Sequence, residues 1–232
     1  MIDECFTVCV CSSRQILDRK KISLLVSSLR SSDIIVKLIP DLCKLVSCGS
    51  DELDEIAKDI VVGCHSRAMN ALFASKGITL KKTINIREEN IEDALLKLQI
   101  PIVHDDELDK KNIDEISALP SEENNDVWFP IIDKDKCVSC GKCFDFCLFD
   151  VYSFDNGEIK IINPQNCKIN CPACARICPS QAIIFPKYDK SPINGGTAIE
   201  EVVSLEMKDI YNKALRERLE RRRAGVRLYK KD

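Results

Sequence analysis

Over residues 1–100 the spacing of apolar positions switches back and forth between two periods. FTVCV (6–10) is short and β-rich. QILDRKKISLLVSSLR (15–30) sets Ile16, Leu24, Leu25 and Leu29 at spacings that suit a helix. DIIVKLI (33–39) and DIVVGC (59–64) are nearly continuous apolar runs, the pattern of strands covered on both faces. SRAMNALFASKG (66–77) predicts a helix with Ser66 as N-cap, Met69, Leu72 and Phe73 on one face, and Gly77 as the stop. NIEDALLKL (90–98) repeats the pattern with Ile91, Ala94, Leu95 and Leu98. Strand and helix in alternation predict an α/β domain, a parallel sheet with flanking helices.

The pattern then changes. Residues 101–127 are predicted to be an acidic linker: from 104 to 126 there are nine Asp and Glu against Lys110 and Lys111, with Pro101 and Pro120 near the ends. This reads as a solvated tether holding one short helix. Residues 128–187 carry eight cysteines, and residues 188–232 form a tail that turns at SPINGG (191–196) and looks helical from Ile199. From Lys208 to Lys231 the tail holds ten Lys and Arg against Asp209, Glu217 and Glu220. Its simplest reading is an amphipathic helix packing Ile210, Leu215 and Leu219. Arg216, Arg218 and the run Arg221, Arg222, Arg223 could instead contact phosphates.

Composition narrows the function classes. A chain of 232 residues, 45% hydrophobic, has room for two small domains, and its net charge of −3 does not call for a nucleic acid or a membrane. No apolar run approaches the roughly 18 residues of a spanning helix. The start, MIDECFTVCVC, has neither a basic region nor a long apolar stretch, so no signal peptide is expected and the cytoplasm is the expected compartment. Fourteen cysteines there favour thiolates for metal or redox chemistry over disulfides, and two histidines cannot supply many zinc sites.

Cys137, Cys140, Cys143 and Cys147 are spaced C-x2-C-x2-C-x3-C; Cys167, Cys171, Cys174 and Cys178, followed by Pro179, are spaced C-x3-C-x2-C-x3-C-P. Cys140 and Cys171, Cys143 and Cys174, and Cys147 and Cys178 are each 31 residues apart. Val151, Tyr152 and Phe154 fall opposite Ala182, Ile183 and Phe185 at the same offset, so the segment is an internal duplication with one residue inserted before Cys171. Zinc ribbons also use C-x2-C pairs, but need two pairs per ion and no x2–x2–x3 triplet. Over about 60 residues the segment resembles a bacterial-type two-cluster 4Fe–4S ferredoxin domain. The resemblance implies a small α+β fold with two short hairpins and two helical turns. It also implies crossed ligation: Cys137, Cys140 and Cys143 with Cys178 for one cluster, and Cys167, Cys171 and Cys174 with Cys147 for the other. Gly141 and Ala173 would let backbone approach inorganic sulfur, and Val138, Phe144, Ile169 and Ile177 would exclude water. Leu148 stands where the second half has Pro179.

Six cysteines remain. Cys5 lies at the start of its strand and reads as core. Cys9, Cys11, Cys43, Cys48 and Cys64 fall at strand ends that share one sheet edge, with Cys43 and Cys48 in the loop after the second strand, and a third 4Fe–4S cluster would draw on four of the five. Cys48 and Cys64 also precede expected helix N-termini, which favour thiolate. Buried structural cysteine is the alternative. VCVCSSR, SCGSDELDEIA, VVGCHSRAMNALFASKGI and INIREE, in that order, resemble the N-terminal domain of the A subunit of heterodisulfide reductase. That domain holds a 4Fe–4S cluster beside a flavin domain. By this resemblance Cys9, Cys11, Cys48 and Cys64 match best, and Cys43, without a counterpart, could replace one of the pair at 9 and 11. CSS stands where the family has cysteine then glycine, and no G-x-G-x-x-G occurs.

These readings predict an electron-transfer protein rather than an enzyme in its own right. It would pass single electrons through two or three clusters between a flavoprotein or hydrogenase-like donor and a partner oxidoreductase complex, with no membrane or nucleic acid. An iron–sulfur regulatory or assembly protein, with its basic tail binding a partner or nucleic acid, is the alternative. No nucleophile–base pair is visible. His65 and His104 are expected to be inert, and Trp128 and Phe129 to anchor the cysteine-rich domain to its neighbour.

Overall fold

Strand β1 (Phe6–Cys9) is entirely buried and pairs in parallel with β2 (Val36–Ile39) on one side and β3 (Ile60–Gly63) on the other. β4 (Lys82–Asn85) adds to β3, again parallel, giving the order β2-β1-β3-β4 in a computed structural model that describes residues 4–120 and 127–197. The strands align Phe6 with Val36 and Ile60, so their C-terminal ends fall on one edge. Both central strands are fully buried: β3, expected from the run 59–64, and β1; the run 33–39, also expected to be covered on both faces, forms β2 at the edge instead. β2 is an edge strand with only Ile39 fully covered, and β4 is an edge strand with only Ile84 covered.

Helices cover the sheet, three of them where the sequence periodicity placed them. α1 (Arg19–Ser31) starts at an Asp18 cap and buries Ile22, Leu25, Val26 and Leu29. α2 (Leu42–Cys48) starts at Asp41, whose side chain accepts from the Lys44 N–H, and stops at Gly49 in the left-handed conformation. Cys43 and Cys48 are therefore on a helix and not in a loop. α3 (Leu53–Ile56) is a single turn; α4 (Ser66–Ala74) takes His65 as its N-cap residue, with Ser66 the first helical residue. α5 (Ile91–Lys97) is capped by Asn90.

The stretch read as a tether with one short helix holds the 13-residue α6 (Asp106–Ala118), packed on α1. Its seam is polar: Ser23 and Ser27 both donate to Asp109 Oδ1, at 2.9 and 2.8 Å, and Asn112 Nδ2 donates to Ser27 at 2.8 Å. A search for apolar periodicity misses such a contact.

The cysteine-rich segment is built from short elements. β5 (Ile131–Ile132) pairs antiparallel with β8 (Ile183–Ile184), and β6 (Tyr152–Asp155) pairs with β7 (Glu158–Ile161). The second pair is a hairpin, closed by Asn156 and Gly157, both at positive φ. The first joins the two ends of the segment, so one hairpin stands where two were expected. α7 (Lys142–Phe146) and α8 (Ala173–Ile177) each span five residues. Ile131 and Ile184 are buried in the same core as the parallel sheet, and all described residues fall within one compact unit, Met1–Thr197. The expected helical tail from Ile199 lies outside the described residues, as do residues 121–126. Among the described residues no helix is long and apolar enough to cross a membrane.

Candidate metal centres

The crossed pairs meet in space. Cys137, Cys140, Cys143 and Cys178 line one small cavity, with Ile132, Ile159 and Ile183 as apolar wall. α7 brings Cys143 to this cavity from the first half, and the end of α8 brings Cys178 from the second. Gly141 caps α7 at φ 75°, a conformation that favours glycine, and a β-carbon there would press on the Phe154 ring at 3.3 Å. Burial pushes the Cys143 thiol up to about 11, reinforced by Cys178 and Cys137.

The second set also gathers. Cys167 is pushed up to about 12 by burial and then by its neighbours Cys174, Cys171 and Cys147. Cys174 is likewise pushed to about 12 by burial, with Cys147 raising it further. Tyr152, buried in β6, donates its hydroxyl to Cys174 Sγ at 3.1 Å, and burial keeps that phenol neutral. Trp128 is buried beside Cys167; its Nε1–H forms no hydrogen bond of full geometry but is close enough to lower the Cys167 pKa against the rise from burial. Raised thiol pKa values mean that metal loading has to displace protons from these sulfurs.

Among the described residues no three His, Cys, Asp or Glu side chains close on the position of a single metal ion. A cubane binds each thiolate to a separate iron and so spaces its ligands more widely. The donor set fits such a cluster: four sulfurs in each group, a cavity between them in the first, and an unpartnered buried N–H beside the second.

Of the five N-terminal cysteines, four converge. Cys9, Cys11, Cys43 and Cys64 lie at the C-terminal edge of the sheet, where strand order reverses between β1 and β3. The first three are buried, and each of the four thiols is raised by burial and by the Asp41 carboxylate, with other cysteines of the group adding to the rise at Cys9, Cys43 and Cys64. Cys64 reaches about 12, so burial outweighs any help from the helix it precedes. Sulfur meets backbone here: Leu42 N–H donates to Cys9 Sγ at 3.4 Å, and the backbone at Ile16 and Arg14 lowers the Cys11 thiol. Two cations face the group. Lys187 Nζ lies 2.6 Å from Asp41 Oδ2 and 2.6 Å from Ser13 Oγ. Burial would lower its pKa, but Cys43, Asp41 and Cys11 outweigh that and raise it. Arg87 donates to the carbonyls of Pro186 and Tyr188 and lowers the Cys64 thiol.

Cys48 does not join them. It is exposed at the end of α2, its thiol donating to Leu45 O. Five residues of helix separate it from Cys43, which turns it about 140° away and about 7.5 Å along the axis. Cys5 stands apart near Asp59 and Lys37.

The remaining candidates are also placed. His65 is buried, with Nδ1 3.5 Å from Glu88 and Nε2 unpartnered, and burial lowers its pKa. His104 is exposed. Trp128 stacks on Phe185 and lies under the Arg14 guanidinium, 4.5 Å from the ring centre, while Phe129 packs on the α/β core. Val138, Phe144 and Ile169, expected to exclude water, are exposed, because helices of one turn cannot cover them. Lys187, Arg87 and Tyr152 were not identified in the sequence as parts of a site. The 31-residue offset, which sets Tyr152 opposite Ile183, was the available signal for the last.

No protein-family profile matches the chain. An uncharacterised ferredoxin of Methanocaldococcus jannaschii is 43% identical over 60 residues, 25% of this chain and 41% of that protein. Ferredoxin-3 of Nostoc sp. is 38% identical over 66 residues, 21% of this chain and 67% of the relative. Pyruvate synthase subunit PorD of Thermotoga maritima is 39% identical over 57 residues, 25% of this chain and 57% of that protein. The chain thus spans less than half of the first relative's length and just over half of the third's.

Proposed function

This chain belongs to the ferredoxins through about a quarter of its length, and on that premise we propose that it relays single electrons through two 4Fe–4S clusters, and a third in the α/β domain, to a partner oxidoreductase. Cys137, Cys140, Cys143 and Cys178 hold the first cluster; Cys147, Cys167, Cys171 and Cys174 hold the second. When bound, such clusters supply one-electron transfer at potentials set by hydrogen bonds to sulfur and by burial. The chain's own residues supply the thiolates, the apolar wall and the donors. The reading rests above all on Cys178 lining the same cavity as Cys137, Cys140 and Cys143, a sulfur from one half of the repeat beside three from the other.

The third set is Cys9, Cys11, Cys43 and Cys64. A buried four-thiolate cluster carries net negative charge, which Lys187 and Arg87 offset from within the same compact unit. The arrangement agrees with a module like the N-terminal domain of the A subunit of heterodisulfide reductase, facing a flavoprotein, with Cys43 in place of Cys48. Exposed Phe144, Phe146 and Leu148, next to Cys143 and Cys147 in the chain, offer apolar surface that suits a partner protein. One relative carries the name of a pyruvate synthase subunit, which favours an oxidoreductase complex as that partner. Fourteen free thiols suit the reducing cytoplasm.

Iron and sulfide are counted per chain after anaerobic purification, with electron paramagnetic resonance of the reduced protein. About twelve irons are expected from three cubanes, falling to about eight in Cys43→Ser and unchanged in Cys48→Ser. A colourless, zinc-only preparation overturns the whole reading; about eight irons in the parent protein removes the third cluster alone.

A further inference from the structure

The two halves of the duplication place different chemistry at the same position. Tyr152 and Ile183 are repeat mates, 31 residues apart. Tyr152 donates its hydroxyl to Cys174 Sγ at 3.1 Å, whereas Ile183 lines the cavity of Cys137, Cys140, Cys143 and Cys178 and has nothing to donate. Tyr152 is 3% exposed, so water does not compete for this bond. Trp128 adds a second donor on the same side, its Nε1–H buried and unpartnered beside Cys167. The Cys137 set has weaker help: Cys178 Sγ accepts from the Ala182 N–H at 3.3 Å and lies 3.6 Å from Ser180 Oγ.

Resting on the two-cluster reading, we infer that Tyr152 and Trp128 are tuning residues that raise the potential of the cluster held by Cys147, Cys167, Cys171 and Cys174 more than that of its twin. One-electron reduction adds negative charge that is shared with the thiolate sulfurs. A buried O–H or N–H aimed at such a sulfur stabilises the reduced form more than the oxidised one. Ile183 offers no such difference. Solvent at the exposed Cys140 also favours reduction of the first cluster, so the inference concerns what the two side chains add, a quantity that substitution isolates.

The test uses the full, cluster-loaded chain titrated anaerobically with dithionite. Electron paramagnetic resonance follows the potentials, and the cysteine β-proton shifts in nuclear magnetic resonance report which cluster holds the electron. Tyr152→Phe is expected to lower the share of a single electron on the second cluster about tenfold, ~59 mV for a one-electron couple. Trp128→Phe moves it the same way by less, and Ile183→Tyr moves the first cluster up. If Tyr152→Phe does not load iron, the other two variants decide. Potentials that stay put, or shift equally in both clusters, overturn the inference while the two-cluster reading stands. A parent protein without 4Fe–4S clusters overturns both.

Discussion

In the α/β region Phe6, Ile60, Val62 and Phe73 are sealed from water, while in the cysteine-rich segment Val138, Phe146 and Leu148 face it, Leu148 at 88% exposure. Helix α7 buries no residue at all, and five residues are too few to hold a helix by propensity. Burying one large apolar side chain contributes about 1.5–3 kcal/mol, and the sheet collects many such contributions where the segment collects few. The α/β region therefore carries its own folding energy, and under the proposed function bonds to metal supply in the segment what burial does not.

Stripping the metal separates the two most strongly. After anaerobic chelation, residues 128–187 are expected to lose amide hydrogen-exchange protection while β1 and β3 keep theirs. Joint melting of both regions, or loss in neither, would show that the segment does not depend on its ligands.

Within the α/β region, Phe73→Ala leaves a cavity and is expected to cost about 3–5 kcal/mol in urea unfolding of the stripped protein. Leu148→Ala, at an exposed position, is expected to stay within about 0.5 kcal/mol. Equal costs at the two positions would contradict the contrast in burial.

Lys187 belongs to both regions, since it follows β8 and ends on Asp41. Lys187→Met leaves a buried carboxylate unpaired and is expected to destabilise the loaded protein by about 3 kcal/mol or more. A thermal midpoint unchanged from the parent would show that the regions are held together by other contacts.

The smallest effect lies on the α1–α6 seam. The Arg30 guanidinium holds the Glu115 carboxyl below its ordinary range. A depressed carboxylate stabilises above its unfolded pKa of about 4.3, and that contribution is lost as pH falls through the folded value. The pair is well exposed, so Glu115→Gln is expected to cost about 0.5 kcal/mol near neutral pH and nothing in acid, read from unfolding midpoints across pH.

Much of this was legible in the sequence. The β-rich FTVCV and the apolar run 59–64 located β1 and β3, and helical spacing located α1, α4 and α5. The resemblance to two-cluster ferredoxins paired Cys178 with Cys137, Cys140 and Cys143. β4 escaped because a single covered residue, Ile84, leaves little pattern in an edge strand. α2 escaped although Asp41, Leu42, Leu45, Val46 and Gly49 carry cap, face and stop, because two cysteines drew attention to ligand chemistry. Reading that helix correctly would have turned Cys48 away from Cys43 at once. The cations Lys187 and Arg87 were invisible for a different reason: each acts across a contact between segments far apart in the chain.

The pairing of β5 with β8 also orders events during synthesis. Ile131 leaves the ribosome early but has no strand to zip against until Ile184 follows, and Cys178 lies just before that point. For the two clusters proposed in this segment, iron delivered to a nascent chain would meet an incomplete set of thiols until Cys178 and Ile184 had emerged.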